Sequence, residues 1–372
     1  QGPGMKIRTV RLYQHDLPIL GGPYVMSSGP IEALDTTLVE IETEDGVTGW
    51  GETCPLGPVY APAFAEGARA ALCHLAPYVL GAAVDDPASL HRRMDDALMG
   101  HAYAKAALDI ALFDAWGKTT AQPVATLLGG ALVDRVPSYY ALNVAAPEET
   151  ARVAVEKVGQ GFRRLQIKVG GRAVETDIET VRRVAEAVGP SVKLVADANR
   201  GLSVETTVAL SESLRDVRLT FEQPCDGLHS FSALKGRLHH PLFMDESSED
   251  LGIVERSIAA GLVDGFGFKV TRLGGLFPMT KVRDLCAAHG IPHTVDDSWG
   301  GDIITAACVQ LGATVDPAQL EGVWTAQPYI ERAYDKENGP RLEEGTIAVS
   351  ERPGLGLEIE PGLFGEPVAV FA

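Results

Sequence analysis

The segments Arg164-Leu-Gln-Ile-Lys-Val169 and Lys193-Leu-Val-Ala-Asp197 follow each other in the chain, with a stretch of helical periodicity between them. Each is short and largely aliphatic, which is typical of a buried strand. The same alternation of strand and helix recurs from residue 136 onward and indicates parallel strands joined by helical crossovers. It predicts strands at residues 136–143, 164–169, 193–196, 219–221, 242–244, 265–270, 292–295 and near 318–322.

Eight such strands predict a (β/α)8 barrel of the TIM type over residues 131–349. An open, doubly wound sheet is the structural alternative. That sheet usually carries a glycine-rich fingerprint after its first strand, and none follows Asn143. In a barrel, residues at the carboxyl ends of the strands share one face, so the candidates for a site are sought there.

The segment before the barrel, residues 5–130, is predicted to form an α+β capping domain. Residues 36–43 alternate in polarity, a turn signal follows, and a second strand begins at Thr48. Residues 61–128 have apolar positions at three- and four-residue steps, which favours helices. We expect the C-terminal segment, about 350–372, to pack back on this domain, and we interpret residues 1–4 as an expression scar before Met5.

The composition argues against several classes of partner. With 50 acidic and 32 basic residues, a net charge of −18, the surface repels a phosphate backbone, so no nucleic-acid partner is expected. No apolar run approaches the roughly 20 residues of a membrane span, and no signal peptide follows Met5, so we expect a cytoplasmic protein. The five cysteines include no CxxC pair and are interpreted as buried thiols in a reducing compartment.

Charged side chains stand at the carboxyl ends of six successive predicted strands, the second to the seventh. One such residue alone is usually a solvated loop residue, but six at the same end of one barrel indicate a shared site. In chain order they are Lys168, Asp197, Glu222, Asp245, Lys269 and Asp296.

Asp197, Glu222 and Asp245 come from three adjacent strands and are expected to converge on one point. Ionised carboxylates placed together repel one another, so a cation is needed to keep them charged. Ligands that offer only oxygen favour a hard ion, Mg²⁺ first and Mn²⁺ second. The alternative is three separate surface carboxylates that cap the following helices, but each follows a strongly apolar run that should be interior.

Lys168 and Lys269 belong to the second and sixth strands, half a turn apart, and are predicted to face each other across the metal. Burial near the ion favours the neutral form of a lysine, which is the form that acts as a general base. The ion stabilises the enolate formed when a carboxylate substrate loses its α-proton. Two opposed bases would invert a stereocentre, whereas either lysine alone would most simply be a surface residue.

Six stretches match motifs of one known family: Ala107-Leu-Asp-Ile-Ala-Leu-Phe-Asp114, Gln166-Ile-Lys168-Val-Gly, Val195-Ala-Asp197-Ala-Asn, Phe221-Glu222-Gln-Pro, Met244-Asp245-Glu246 and Phe268-Lys269-Val-Thr-Arg-Leu-Gly-Gly. Across essentially its whole length the chain resembles the enolase superfamily, on its mandelate racemase and muconate-lactonizing side. The resemblance implies a metal-assisted proton abstraction with a lysine base. It also implies assembly into homo-oligomers.

Gln166 departs from the family pattern, which often has Lys-x-Lys on the second strand. A lysine at the first of these positions would lower the pKa of Lys168 by repulsion, and an amide does not. Because residues two apart on a strand point to the same side, Gln166 is predicted to bind the substrate.

Five further stretches resemble the 4-hydroxyproline betaine 2-epimerases of this superfamily, which implies a proline-derived carboxylate with a cationic nitrogen as substrate. A quaternary ammonium donates no hydrogen bond, so aromatic faces and a carboxylate at a distance should recognise it. Tyr60, Trp324 and Asp296 are the candidates, although Tyr60 and Trp324 could equally be inter-domain packing residues. The stretches are Gly22-Pro-Tyr24, Gly51-Glu-Thr-Cys-Pro-Leu-Gly-Pro-Val-Tyr60-Ala-Pro, Arg164-Leu-Gln-Ile-Lys168, Asp296-Asp-Ser-Trp-Gly-Gly-Asp302 and Glu321-Gly-Val-Trp324-Thr-Ala-Gln-Pro-Tyr.

Two other functions stay open from the sequence. A cis-3-hydroxy-L-proline dehydratase would use the same metal and bases, with loss of hydroxide after proton abstraction. An inactive barrel used as a binding protein would be expected to lose a ligand or a base, and the sequence retains all of them. In either enzyme, we expect the capping-domain loops at residues 21–30 and 51–62 to close the site and exclude water.

Overall fold

The computed structural model describes residues 5–26, 29–330 and 333–372. The expectation about residues 1–4 lies outside the described residues, as do positions 27 and 28 of the predicted loop at 21–30. No helix among the described residues is long and apolar enough to cross a bilayer.

An antiparallel sheet with helices packed against it forms the N-terminal layer. The sheet order is β17-β1-β4-β5, so the last strand of the chain pairs with the first, with Val10 opposite Phe371. The elements are β1 (Ile7–Pro18), β2 (Tyr24–Met26), β3 (Gly29–Ile31), β4 (Ala33–Thr43), β5 (Thr48–Thr53), α1 (Ala65–Val79), α2 (Pro87–Ala97), α3 (Ala102–Thr119), α4 (Val124–Leu127) and, from the C-terminus, β17 (Ala369–Phe371).

The helix α3 is buried on nearly every side. Glycine in β5 makes this possible, because a Cβ on Gly51 would lie 1.8 Å from the carbonyl oxygen of Ala107. The helix therefore lies directly on the strand, and its other side faces the barrel, where it contacts α10 and α11 (Val270–Leu273 and Leu276–His289).

Eight parallel strands, β7 to β14, form one sheet in sequence order. The backbone N–H of Val323, after β14, donates to the carbonyl oxygen of Pro137, just before β7, at 2.8 Å, so the two ends of the sheet lie next to each other. The predicted (β/α)8 barrel is confirmed. The remaining elements are β6 (Arg135–Pro137), β7 (Tyr140–Leu142), α5 (Pro147–Gly159), β8 (Arg164–Lys168), α6 (Val174–Val188), β9 (Lys193–Asp197), α7 (Val204–Ser213), β10 (Thr220–Glu222), α8 (Gly227–Leu234), β11 (Leu242–Met244), α9 (Leu251–Ala259), β12 (Gly265–Lys269), β13 (His293–Asp296), α12 (Asp302–Gly312), β14 (Leu320–Gly322), a 3-10 turn (Gln327–Tyr329), β15 (Leu342–Glu343) and β16 (Thr346–Ala348).

The predicted first barrel strand, residues 136–143, is two strands in the structure. Only β7 belongs to the barrel, whereas β6 pairs with β16 in a separate three-stranded sheet. Between them, Ser138 N–H donates to Gly345 and Ser138 Oγ donates to the carbonyl of Val323. These two long-range bonds turn the chain from one sheet into the other, which no local pattern could indicate.

Two buried carboxylates of the N-terminal layer accept hydrogen bonds from the starts of barrel helices. Asp109 of α3 accepts from Leu276 N at 2.5 Å at the start of α11, and Glu52 of β5 accepts from Gly301 N at 2.9 Å before α12. A carboxylate at a helix N-terminus satisfies free N–H groups and interacts favourably with the helix dipole. These bonds fix the layer against the barrel and set the position of the loop that follows β5.

Candidate active site

The six strand-end residues predicted from the sequence lie together inside one end of the barrel, and all are buried. The parallel registers align them, because Lys168 pairs with Asp197 across β8 and β9, and Glu222 pairs with Asp197 across β9 and β10. On the far side, Lys269 pairs with its neighbour on β13, Asp296. The sheet therefore places these side chains in one layer.

Two of the three predicted metal ligands converge beside Gly267 in β12. A Cβ at this glycine would lie 2.6 Å from Glu222 Oε1 and 3.3 Å from Asp245 Cγ, so only glycine leaves room for both carboxylates. Glu222 Oε2 accepts a hydrogen bond from Gln166 at 2.7 Å, whereas the buried Oε1 has no partner among the described residues. Burial, and then repulsion from Asp197 and Asp245, raises the pKa of Glu222.

Among the described residues, no group of three His, Cys, Asp or Glu side chains has the mutual spacing of a metal site. Asp197 pairs instead with Lys168 at 2.5 Å, and Asp245 Oδ1 forms an ion pair with Arg272 at 2.7 Å. The donor chemistry nonetheless fits a hard divalent cation, because the set offers only oxygen and one of its buried oxygens lacks a partner. Binding an ion would require these ion pairs to open.

The two lysines lie on β8 and β12, four strands apart in the eight-stranded order, and both line one cavity. Lys168 Nζ donates to Asp197 Oδ2 at 2.5 Å and to Asn199 Oδ1 at 3.1 Å. Lys269 Nζ lies 3.4 Å from Asp245 Oδ2 and 3.5 Å from Asp296 Oδ2. Each lysine thus faces carboxylates from its own side of the cavity.

The surroundings of the lysines differ from the expectation that their neutral form is favoured. Burial is the largest single influence on the pKa of Lys168 and lowers it, but Asp197 and the other acidic groups around the lysine together outweigh burial and raise the pKa. Burial is also the largest influence on Lys269, and the combined attraction of Asp245, Asp296 and two tyrosines raises its pKa. The expectation took account of burial and a cation, whereas the acidic groups facing each lysine together exceed the effect of burial in this arrangement.

Aromatic side chains from both the N-terminal layer and the barrel form one wall of the cavity. The predicted Tyr60, Gln166 and Trp324 line the cavity with the two lysines. Sequence reasoning left out Tyr24 and Trp299, which also line it; their ring centroids lie 5.3 Å apart, and Trp299 packs edge-on against Trp324 at 5.4 Å. Both residues lie in stretches that resemble the betaine epimerases, Gly22-Pro-Tyr24 and residues 296–302, and this resemblance is the signal in the sequence that could have identified them.

Asp296, predicted to contact the substrate, lies behind the cavity wall and does not line it. Its Oδ2 accepts from Tyr139 Oη at 2.8 Å, and its Oδ1 accepts from Trp324 N at 2.6 Å. The neighbouring Asp297 is also satisfied, with Oδ2 accepting from Thr271 N at 2.8 Å. Its Oδ1 accepts from Thr271 Oγ1 at 2.7 Å. All four oxygens of this acidic pair therefore already accept hydrogen bonds from the protein.

The loop after β5 reaches over the barrel. Arg200, which follows β9, donates to the carbonyl oxygen of Tyr60 at 2.7 Å. Arg272, which pairs with Asp245, also donates to Tyr60 Oη at 3.3 Å. Tyr60 is buried as a result, so the loop at residues 51–62 covers one side of the cavity.

Comparison with known families agrees with this architecture. Residues 7–129 match the model of the mandelate racemase / muconate lactonizing enzyme N-terminal domain, and residues 149–363 match the enolase C-terminal domain-like model. The chain belongs to the enolase superfamily.

Several relatives of this superfamily member match it over nearly its whole length. A cis-3-hydroxy-L-proline dehydratase from Roseibium aggregatum is 37% identical over 99% of this chain and 100% of the relative. A hydrophobic dipeptide epimerase from Enterococcus faecalis is 31% identical over 96% of this chain and 99% of the relative. A solved mandelate racemase/muconate lactonizing enzyme from Roseovarius nubinhibens, complexed with magnesium, has a TM-score of 0.94 and 32% identity, covering 99% of this chain and 100% of that chain.

Proposed function

We propose that this enolase-superfamily protein removes the α-proton of a proline-derived carboxylate and epimerises 4-hydroxyproline betaine or proline betaine. The observation that carries the proposal is a single cavity lined by Lys168 and Lys269, whose strands stand half a barrel apart. Two bases on opposite sides of one substrate can remove a proton from one face and return one to the other. The barrel of residues 131–349 supplies this machinery, and a capping domain of residues 5–130 covers it.

In this proposal Asp197, Glu222 and Asp245 hold Mg²⁺, with Mn²⁺ as the second choice. When bound, the ion supplies positive charge that stabilises the substrate as its α-proton leaves and offsets the carboxylates that keep the lysines protonated. The unpartnered oxygen of Glu222 and the space beside Gly267 support this assignment.

The two lysines exchange roles with the direction of the reaction. One lysine, in its neutral form, accepts the α-proton from the face that it contacts. The other, in its ammonium form, donates a proton to the opposite face, so the configuration inverts and the enzyme ends with its protonation states exchanged. Gln166, whose side chain lies between Glu222 and the cavity, helps to orient the substrate carboxylate.

The chemistry of the cavity wall supports a betaine. A secondary ammonium has N–H groups that need acceptors, whereas every oxygen of Asp296 and Asp297 already accepts at least one hydrogen bond from the protein, which reduces the capacity of this pair to accept from a substrate. A quaternary ammonium needs none and is attracted to aromatic faces, which Tyr60 and Trp324 offer. Asp296 then contributes its charge at a distance, from behind the wall.

A second candidate is dehydration of cis-3-hydroxy-L-proline, favoured by the 37% identity to the dehydratase from Roseibium aggregatum. Its first step would be the same proton abstraction, and the hydroxide on the neighbouring carbon would then leave. The ring nitrogen must carry a proton for the resulting enamine to rearrange to an imine. A betaine cannot follow that path, so the methylation state of the nitrogen separates the two functions.

The test is incubation of the enzyme and Mg²⁺ in deuterated water with proline betaine, 4-hydroxyproline betaine or cis-3-hydroxy-L-proline, followed by ¹H NMR. We expect deuterium at the α-carbon of the betaines together with signals of the inverted product. Loss of the signal of the proton on the hydroxyl-bearing carbon, seen with cis-3-hydroxy-L-proline alone, would favour the dehydratase. Absence of exchange on every substrate, with metal present, would reject both enzymes and leave an inactive barrel that binds a ligand.

A further inference from the structure

The two lysines are held by different sets of residues, although both line one cavity. Lys168 contacts Asp197 and Asn199, and Asn199 Nδ2 donates in turn to Glu246 at 2.8 Å. Among the described residues, no side-chain amide hydrogen bonds to Lys269. One of its two carboxylate partners is Asp296, which accepts a hydrogen bond from Tyr139, just before β7.

We propose that Tyr139 is a positioning residue for Lys269, acting through Asp296, and that Arg164 holds Tyr139 in place. The inference rests on the proposed function, because it assigns the Lys269 half of the two-base reaction to this chain of contacts. The contacts run from β8, through the segment before β7, to β13 and β12.

Asp296 is fixed at both carboxylate oxygens. Trp324 N–H donates to Oδ1 at 2.6 Å, and Tyr139 O–H donates to Oδ2 at 2.8 Å. Oδ2 is also the oxygen that faces Lys269 Nζ, at 3.5 Å. Removal of the tyrosine hydroxyl leaves Oδ2 without this hydrogen-bond donor. The carboxylate group can then rotate about its Cβ–Cγ bond, and Lys269 loses a partner at a fixed position.

The ring of Tyr139 lies between a cation and a glycine. The guanidinium carbon of Arg164 lies 4.1 Å from the ring centroid. On another side, Gly322, whose φ is +141°, leaves room for the ring, because a Cβ there would lie 3.1 Å from Tyr139 Cδ1. The ring thus fits closely at this position, with its hydroxyl donating to Asp296 Oδ2.

Arg164 is almost fully buried, yet none of its three nitrogen atoms has a hydrogen-bond acceptor among the described residues. Its nearest carboxylate is Glu321, at 3.6 Å from Nε. Besides this ion pair, Arg164 makes a cation–π contact with the ring of Tyr139, and a planar guanidinium is suited to lie over a ring where a lysine is not. The contact with Tyr139 explains why the charged side chain of Arg164 is buried beneath the site although it does not line the cavity.

The experiment is α-proton exchange in deuterated water, measured by ¹H NMR separately for the two enantiomers of the betaine substrate. Tyr139→Phe keeps the ring and removes the hydroxyl. The enantiomer served by Lys269, identified as the one that Lys269→Ala no longer exchanges, should lose about tenfold in kcat for exchange, since a hydrogen bond to a charged group is removed. Its KM should change little, and the other enantiomer should stay within about twofold.

Asn199→Gly is the matched variant for the other side. Asn199 has φ of +44°, a conformation that glycine adopts without strain, so the change removes the side-chain contacts with Lys168 and Glu246 without straining the backbone. It should slow the opposite enantiomer and spare the one served by Lys269. Arg164→Lys, which keeps the charge and loses the guanidinium contact with the ring, should act in the same direction as Tyr139→Phe by a smaller factor.

Equal slowing of both enantiomers by Tyr139→Phe, or no effect on either, would overturn the inference. If the wild-type enzyme exchanges neither enantiomer, the proposed function fails, and the crystal structure of Tyr139→Phe decides the positioning role by itself. In that structure we expect Asp296 Oδ2 to turn away and Lys269 Nζ to shift with it. Wild-type positions of both side chains would show that Tyr139 positions neither.

Discussion

Substitution Glu222→Gln is expected to stabilise the metal-free protein while abolishing its stabilisation by Mg²⁺. The change is nearly isosteric and keeps an oxygen to accept from Gln166. In protein treated with a chelator, burial first, and then Asp197 and Asp245, raises the pKa of Glu222 from 4.5 to about 7. The folded carboxyl group therefore binds its proton more tightly than the same group in the unfolded chain.

The sign follows from proton binding. Between these two pKa values the folded protein keeps a proton that the unfolded chain has released, so stability falls as the pH rises through this window. At about 1.4 kcal/mol per pH unit, the loss at pH 8 is on the order of 3 kcal/mol. Glutamine does not titrate, so the variant should be more stable than wild type by about that amount at pH 8, and about equal to it at pH 4.

The assay is urea unfolding across this pH range, with chelator or with Mg²⁺, on wild type, Glu222→Gln and a control, Glu255→Gln, at an exposed position of α9. Mg²⁺ should stabilise wild type and the control but have little effect on Glu222→Gln, since a ligand that binds only the folded state stabilises it. A variant that is less stable than wild type at pH 8 in chelator, or that gains as much from Mg²⁺ as wild type, would refute the reasoning.

Three further outcomes are expected. Lys168→Ala and Lys269→Ala should each abolish inversion yet retain α-proton exchange of one enantiomer, the one facing the surviving lysine; equal exchange of both by either variant, read by ¹H NMR, would contradict opposed bases. Tyr60→Ala should raise KM for a betaine by about 2- to 30-fold, the equivalent of one cation–π contact of about 0.5–2 kcal/mol, and an unchanged KM would remove Tyr60 from the site. Asp109→Ala should lower the free energy of unfolding by about 2 kcal/mol or more, because the start of α11 loses its buried acceptor; a urea midpoint equal to wild type would show that this inter-layer bond contributes little.

The barrel and the members of its charged layer could be predicted from the sequence because both follow from local patterns. Each barrel strand is covered by helices on one face and packs against side chains of the barrel interior on the other. Such a strand therefore appears in the sequence as a short apolar run. Parallel crossovers place the residue at the end of each run on the same face. Lys168, Glu222 and Lys269 were found in this way, and the register pairs place them in one layer.

Other features depend on contacts between residues far apart in the chain. The segment 136–143 has the composition of one strand, but bonds to Gly345 and Val323 divide it between two sheets. The pairing of Arg272 with both Asp245 and Tyr60 joins a barrel helix to a loop more than two hundred residues earlier. No periodicity or spacing near Arg272 encodes that partner.

Asp296 shows most clearly what only the tertiary structure decided. The sequence placed it at the end of the seventh strand, with the correct neighbours and the correct face. Its position behind the cavity wall follows from two donors, the hydroxyl of Tyr139 and the backbone N–H of Trp324. A carboxylate turns toward the donors that the folded chain brings to it, and those donors come from the first and last segments of the barrel, which become neighbours only when the sheet closes.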